Sequence, residues 1–293
     1  MGIKEIFAEE FSSTSFLLDH KYPGRFVRFE CGSPKLYAVW RFTWMLYHIA
    51  AIISSGLLEK YYASSPDNRW KWLIFLTNWN FMALTLGVIV DFFTTVFVQW
   101  GYPQLLEEKE EESLPWYLKL VWVLSNIYNS VSLMVTVGYW GFGTFDPTKG
   151  LSGPRVLPFL GHGMNSIYVI CNLCVTAMPI RLFHFWQPLV FTVIYGIFNT
   201  VYLAVGATDD TDKPYIYPPI DWRKSPVKAE AIGLGVVFGV IFLHILIFFI
   251  HLARRGIVHA CRCGTPTAEK EPAAAKMKSL SGEYGSTHKT NNL

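Results

Sequence analysis

The chain reads as an all-α polytopic membrane protein, with six transmembrane helices in one bundle. Three observations predict this. Six separate stretches are apolar for 20 residues or more: 37–56, 72–98, 117–142, 158–178, 185–206 and 230–253. A hydrocarbon core of about 30 Å takes about 20 residues of helix at 1.5 Å rise each. Neither the length nor the pattern fits barrel strands, which are about 10 residues long and alternate strictly, so helices are the remaining way to pair every backbone group in lipid. The composition agrees: 52% of the 293 residues are hydrophobic and 16% aromatic, too apolar for an ordinary soluble domain. The net charge of +3 is small and dispersed, so no nucleic-acid partner is expected.

The elements follow in order. Residues 1–35 form an N-terminal segment with Lys4, Glu5, Glu9, Glu10, Asp19 and Lys21 ahead of any long apolar run, which is not a cleavable signal peptide. The first span then acts as an uncleaved anchor. One membrane domain covers 36–255. The tail 256–293 is polar after Gly264, rich in Ala, Lys, Ser, Glu and Gly, and reads as disordered. Trp72, Trp100, Trp116, Trp140 and Trp186 fall at or near span ends, as interfacial aromatic belts do. The side holding both termini carries 14 Lys and Arg against 9 on the other, so both termini are expected in the cytoplasm. The run 107–112 (EEKEEE) reads as a solvated loop. Gly235 and Gly239 give the sixth span a GxxxG spacing suited to close helix contact.

Five cysteines are too few and too scattered for a disulfide framework. Cys261 and Cys263, beside Arg254, Arg255 and Arg262, have the setting of juxtamembrane S-acylation sites. No Asn-x-Ser/Thr sequon occurs. No cofactor is expected. His244 and His251 lie seven residues apart, about 10 Å along a helix, too far to share one metal ion.

Polar residues within lipid are costly and usually turn inward. At about 100° per residue, Thr77, Asn80, Asp91 and Thr95 of the second span fall within roughly 60° of one another. His162, Asn165, Asn172 and Thr176 of the fourth fall within roughly 80°. Lys119 and Asn126 align on the third span, and Arg41 and His48 lie seven apart on the first. Inward-facing stripes predict a hydrogen-bonded core. Depth sorts them: Thr77, His162 and Asn165 share one leaflet with the loop from Thr208 to Arg223, whereas Arg41 and Asp91 share the other and are expected to form a buried ion pair. At helical interfaces Asn and His mostly serve as hydrogen-bond partners, so a structural role for Thr77, Asn78, His162 and Asn165 stands beside a hydrolytic one and a ligand or ion path.

Two resemblances follow from particular runs. GHGMNSIYVICNLCVTAMPIRLFHFWQPL (161–189) and YIYPPIDWRK (215–224), with RFTWMLYH in the first span and WLIFLTNWNF in the second, resemble the rolling stone family of animal six-span membrane proteins. The likeness covers essentially the whole membrane domain. It implies a plasma-membrane protein acting in cell–cell fusion, in insects that of myoblasts, or in adhesion. Its expected partners are membrane lipids and a protein at the loop from Thr208 to Arg223. A more distant similarity is to the androgen-induced-protein family of intramembrane hydrolases of fatty-acid esters of hydroxy fatty acids. That family sets a nucleophilic Thr in a Phe-Leu-Thr run, matched here by Phe75, Leu76 and Thr77. Its catalytic His closes an Asn-His-Gly-Met-His motif, where this chain has Gly161, His162, Gly163, Met164 and then Asn165. An amide cannot take the nucleophile's proton at neutral pH. The resemblance therefore implies a scaffold without its relatives' base and a non-enzymatic protein. The alternative is a lipid ester hydrolase with Thr77 as nucleophile, His162 as substitute base and Asn165 positioning the acyl oxygen.

Overall fold

The computed structural model describes residues 8, 10–107, 109–141 and 159–264. It is helical throughout, with no strand among the described residues and one isolated bridge between Phe29 and Thr176. The chain divides into two units, Met1–Leu252 and Ala253–Leu293. Six long or medium helices account for the six apolar stretches: α1 (Pro34–Leu58), α2 (Leu76–Gly101), α3 (Trp116–Gly141), α4 (Asn165–Val175), α5 (Trp186–Ala204) and α6 (Pro226–Gly264). Among the described residues, five helical stretches are long and apolar enough to cross a membrane. The sixth is the fourth apolar stretch.

That stretch is shorter than its hydropathy predicts. A π-helical turn (Phe159–Met164, six residues) leads into the eleven residues of α4, which end at Val175. Pro179 disfavours helical backbone in the residue before it. The carbonyls and amides released at the break are taken up by the N-terminal segment: Glu30 N–H donates to Val175 O at 2.9 Å, and Ala177 N–H donates to Arg28 O at 3.1 Å. Protein backbone thus replaces the missing helix bonds, the condition under which irregular chain survives at depth.

Two other boundaries differ. The second helix begins at Leu76 rather than Trp72, because Pro66–Ile74 forms a 3-10 run and Phe75 is extended. Thr77 therefore sits in the first turn of α2. The last helix runs on to Gly264, so residues 256–264, expected to be tail, are helical; 265–293 lie outside the described residues, as do residues 142 and 158 at the ends of two expected spans.

α2 lies at the centre, packed along α1 and α3. Its Gly87 lets α3 come close, since a Cβ there would fall 2.6 Å from Tyr128 Cε1 on α3. Gly239 of α6 likewise faces Met134 of α3, while Gly235 faces open space, so the GxxxG spacing serves one contact through one glycine. Leu84, Val88, Tyr128, Tyr168, Ile247 and Phe248 close the central core.

The polar stripes meet inside. Arg41, fully buried, lies 2.9 Å from the Asp91 carboxylate, itself 1% exposed. The contact is an ion pair without hydrogen-bond alignment at Asp91 Oδ2. Arg41 also donates to Tyr168 Oη (3.0 Å), Asn172 Oδ1 (2.8 Å) and Tyr37 Oη. The predicted pair is present, and the fourth helix's stripe completes its shell. Asn80 donates to Ser132 (3.0 Å) and Asn126 to Gln187 (3.0 Å), further bonds between helices.

The terminal end of the bundle is capped by residues 10–32. Glu10 accepts from Leu182 N–H (2.8 Å), Asp19 from Leu114 N–H (3.2 Å), and Tyr22 donates to Glu110 (2.8 Å). Phe26 and Val27 are fully buried against Trp122 and Leu118.

Candidate functional site

At the opposite end, where α1 and α5 finish and α2 and α6 begin, the helices do not close on one another. They surround a cavity of about 840 Å³. That volume falls within the range of small-molecule pockets, about 300–1,000 Å³. Apolar side chains such as Phe81, Val135, Val193, Ile216 and Val236 make up most of the wall.

The loop from Thr208 to Arg223 covers it. Asp209 shapes the turn by accepting from Thr211 N–H (2.9 Å) and Lys213 N–H (2.7 Å), while Asp212 takes a left-handed backbone (φ 64°). A latch fastens this turn to the segment between α1 and α2. Lys71, 7% exposed, donates to Thr208 Oγ1 (2.7 Å) and Asp209 O (2.9 Å); Asn68 donates to Asp212 Oδ1 (2.8 Å) and Ser64 to Asp212 Oδ2. Hydrogen bonds from Ser64 and then Asn68 hold the Asp212 carboxyl below the usual aspartate range. Asp210 shifts the other way: burial first, then the like charge of Asp209, pushes it up. Farther along the loop, Tyr217 Oη accepts from Leu76 N–H at 2.8 Å, pairing one of the amides that a helix start leaves without partners. Tyr195 Oη donates to Ile74 O (3.0 Å) across the same junction. These two tyrosines set where α2 starts.

The sequence-predicted residues separate here. Thr77 is half-buried in the cavity wall, close to the Tyr217 hydroxyl. His162 lines the same cavity; its ring stacks on Tyr139 (centroids 4.0 Å, planes 11° apart) and its buried Nδ1 has no hydrogen-bond partner. Asn165 is not among the described lining residues. It is 1% exposed, and neither its amide nitrogen nor its amide oxygen is hydrogen-bonded. The structure thus brings Thr77 and His162 to one cavity and leaves Asn165 in the packed interior. Among the described residues, no group of three or more His, Cys, Asp or Glu is placed to hold a metal ion.

Sequence reasoning did not single out Glu59, Asp210, Asn199 or Tyr217, all of which line the cavity. Only Tyr217 carried a signal, through the Tyr-Ile-Tyr-Pro run. Glu59 follows an apolar run as many interfacial acids do, and nothing local pairs it with a residue some 150 positions later.

The family model for Protein rolling stone matches residues 13–263. Protein rolling stone of Drosophila melanogaster is 25% identical over 228 residues, covering 75% of this chain and 78% of that protein. No solved structure matches the chain. The matched span takes in the N-terminal cap from residue 13, all six helices and the loop over the cavity, and on that extent the chain belongs to the rolling stone family.

Proposed function

We propose that this chain is a non-enzymatic plasma-membrane protein acting in cell–cell fusion or adhesion, with both termini in the cytoplasm and the loop from Thr208 to Arg223 presented outside to a protein partner. The observation that carries this reading is the loop itself. It is fastened by Lys71, Asn68 and Ser64, so it offers a defined surface, and it leaves Lys213 and Arg223 exposed, with Lys224 exposed just beyond it. A preorganised surface binds without the cost of ordering a loop. Exposed apolar side chains such as Phe93, Phe97, Phe238 and Phe242 are suited to contact with membrane lipids. Support for the absence of chemistry comes from Asn165, which cannot serve as a base and does not line the cavity. The test is a fusion assay in cells carrying the full chain. Reversing the exposed charges (Arg223→Glu with Lys224→Glu) lowers fusion while Thr77→Ala leaves it intact. Normal fusion with the reversed loop, at normal surface expression, overturns the reading.

A second reading is favoured by one observation, the shared cavity of Thr77 and His162: a lipid ester hydrolase with Thr77 as nucleophile and His162 as base. Labelling of the purified chain by a fluorophosphonate probe, abolished by Thr77→Ala, is its signature. Labelling that is absent or independent of Thr77 removes it.

A further inference from the structure

The cavity wall has a charge pattern as well as a shape. Two carboxylates, Glu59 and Asp210, line it, and they lie close enough for their like charges to interact. They are 8% and 9% exposed, and among the described residues neither forms an ion pair. No Lys or Arg appears among the described lining residues. Bringing two like charges together out of water is unfavourable unless a cation or a shared proton joins them.

A separate observation points the same way. Asn199, 8% exposed, also lines the cavity, and its carbonyl oxygen Oδ1 is buried without a partner. It is an acceptor left without a donor beside the cavity wall. Three aromatic residues, Tyr62, Trp72 and Trp222, also line the wall, and aromatic rings attract a cation rather than an anion. The remaining wall is apolar and suits a hydrocarbon chain.

We propose that this cavity binds a single-chain cationic amphiphile: a long hydrocarbon chain ending in a protonated amine, with the ammonium held by Glu59, Asp210 and Asn199 Oδ1. Glu59 then gains a counter-ion, Asp210 gains one beside the charges of Lys213 and Lys71 that already reach it, the orphaned amide oxygen gains a donor, and the chain lies among the apolar side chains. A fatty acid of the same length would instead place a third carboxylate beside the first two. The inference is independent of the fusion reading, and it bears on the hydrolase reading, since a fatty-acid product would be poorly held here.

The experiment uses the full chain in nanodiscs of zwitterionic lipid at pH 7, with radiolabelled hexadecylamine and subtraction of protein-free nanodiscs. Saturable binding is expected, with hexadecanol competing less well than unlabelled amine and hexadecanoic acid weaker than the amine by about tenfold or more. Glu59→Gln, which keeps the side chain's shape, weakens amine binding by about tenfold and leaves competition by the alcohol against a neutral probe unchanged. Glu110→Gln, on the exposed surface at the other end, has no effect. The proposal is overturned by no saturable amine binding, by hexadecanoic acid matching the amine, or by an unchanged affinity in Glu59→Gln. Should that variant fail to fold, the ranking of amine, alcohol and acid on the unaltered chain decides alone.

Discussion

Removing the Asp91 carboxylate tests the centre of the bundle. Asp91→Ala leaves the Arg41 guanidinium, fully buried between helices, without its counter-charge. At 2.9 Å and an effective dielectric of about 20, the direct attraction lost is about 6 kcal/mol. Part of it returns because Asp91 no longer needs desolvating, and because Tyr37, Tyr168 and Asn172 still accept from Arg41. The expected net loss is the range for breaking a buried pair, about 3–5 kcal/mol. In a reversible denaturing-detergent titration, that loss shifts the folded-to-unfolded ratio by about 10²- to 10⁴-fold. Replacing both partners (Arg41→Met with Asp91→Leu) removes both charges and leaves mainly the Asn172 acceptor unpaired, a loss of about 1–3 kcal/mol. The double variant should therefore be more stable than Asp91→Ala alone. An Asp91→Ala loss below about 1 kcal/mol, or a double variant worse than the single, would refute the claim that this pair is electrostatically buried.

Three more expectations follow from particular contacts. Gly87→Ala forces a methyl into the buried Tyr128 ring and should cost about 1–3 kcal/mol, whereas Gly239→Ala meets only the flexible end of Met134 and should cost less than about 1 kcal/mol in the same titration. The latch should be acid-sensitive. Asp212 has a depressed pKa, so its contribution is present above its unfolded value and is lost as pH falls through the folded one; Asp210, raised, works oppositely, favouring the fold at low pH. Protection factors at 208–213, the intrinsic exchange rate at each pH divided by the observed one, should fall on acidification in the natural chain, and Asp212→Asn should remove that dependence; an equal fall in both chains refutes it. Finally, Tyr217→Phe removes the acceptor for the Leu76 amide at the start of α2, with an expected loss of about 1 kcal/mol and faster exchange at Leu76 and Thr77. Unchanged exchange there means the loop does not cap the helix.

Several features of the fold were legible residue by residue. Arg41 and Asp91 were paired correctly from depth and leaflet alone, because the penalty for a lone charge in lipid leaves few alternatives. The shared leaflet of Thr77, His162 and the loop from Thr208 to Arg223 also emerged from counting residues along alternating helices. The second span, expected from residue 72, is α-helical only from Leu76. Trp72, Leu73, Ile74 and Phe75 continue the apolar run without being α-helical, and their apolarity says that the segment is buried, not that it is wound. The early end of α4 had a local cue in Pro179, but its partner, the backbone of Arg28 and Glu30, lies some 145 residues away.

The amino-acid sequence by itself determined that this is a membrane protein of six helical segments with polar rows turned inward. Transfer to lipid penalises each residue almost independently of its neighbours, so apolar length and the facing of polar groups can be read locally. Only the tertiary structure decided that the helices part at one end to leave a cavity, that Thr77 and His162 reach its wall while Asn165 does not, and that Glu59 and Asp210 face it together. Those outcomes depend on where loops place residues from distant parts of the chain, and Coulomb and hydrogen-bond energies change steeply over a few ångströms that no local pattern encodes.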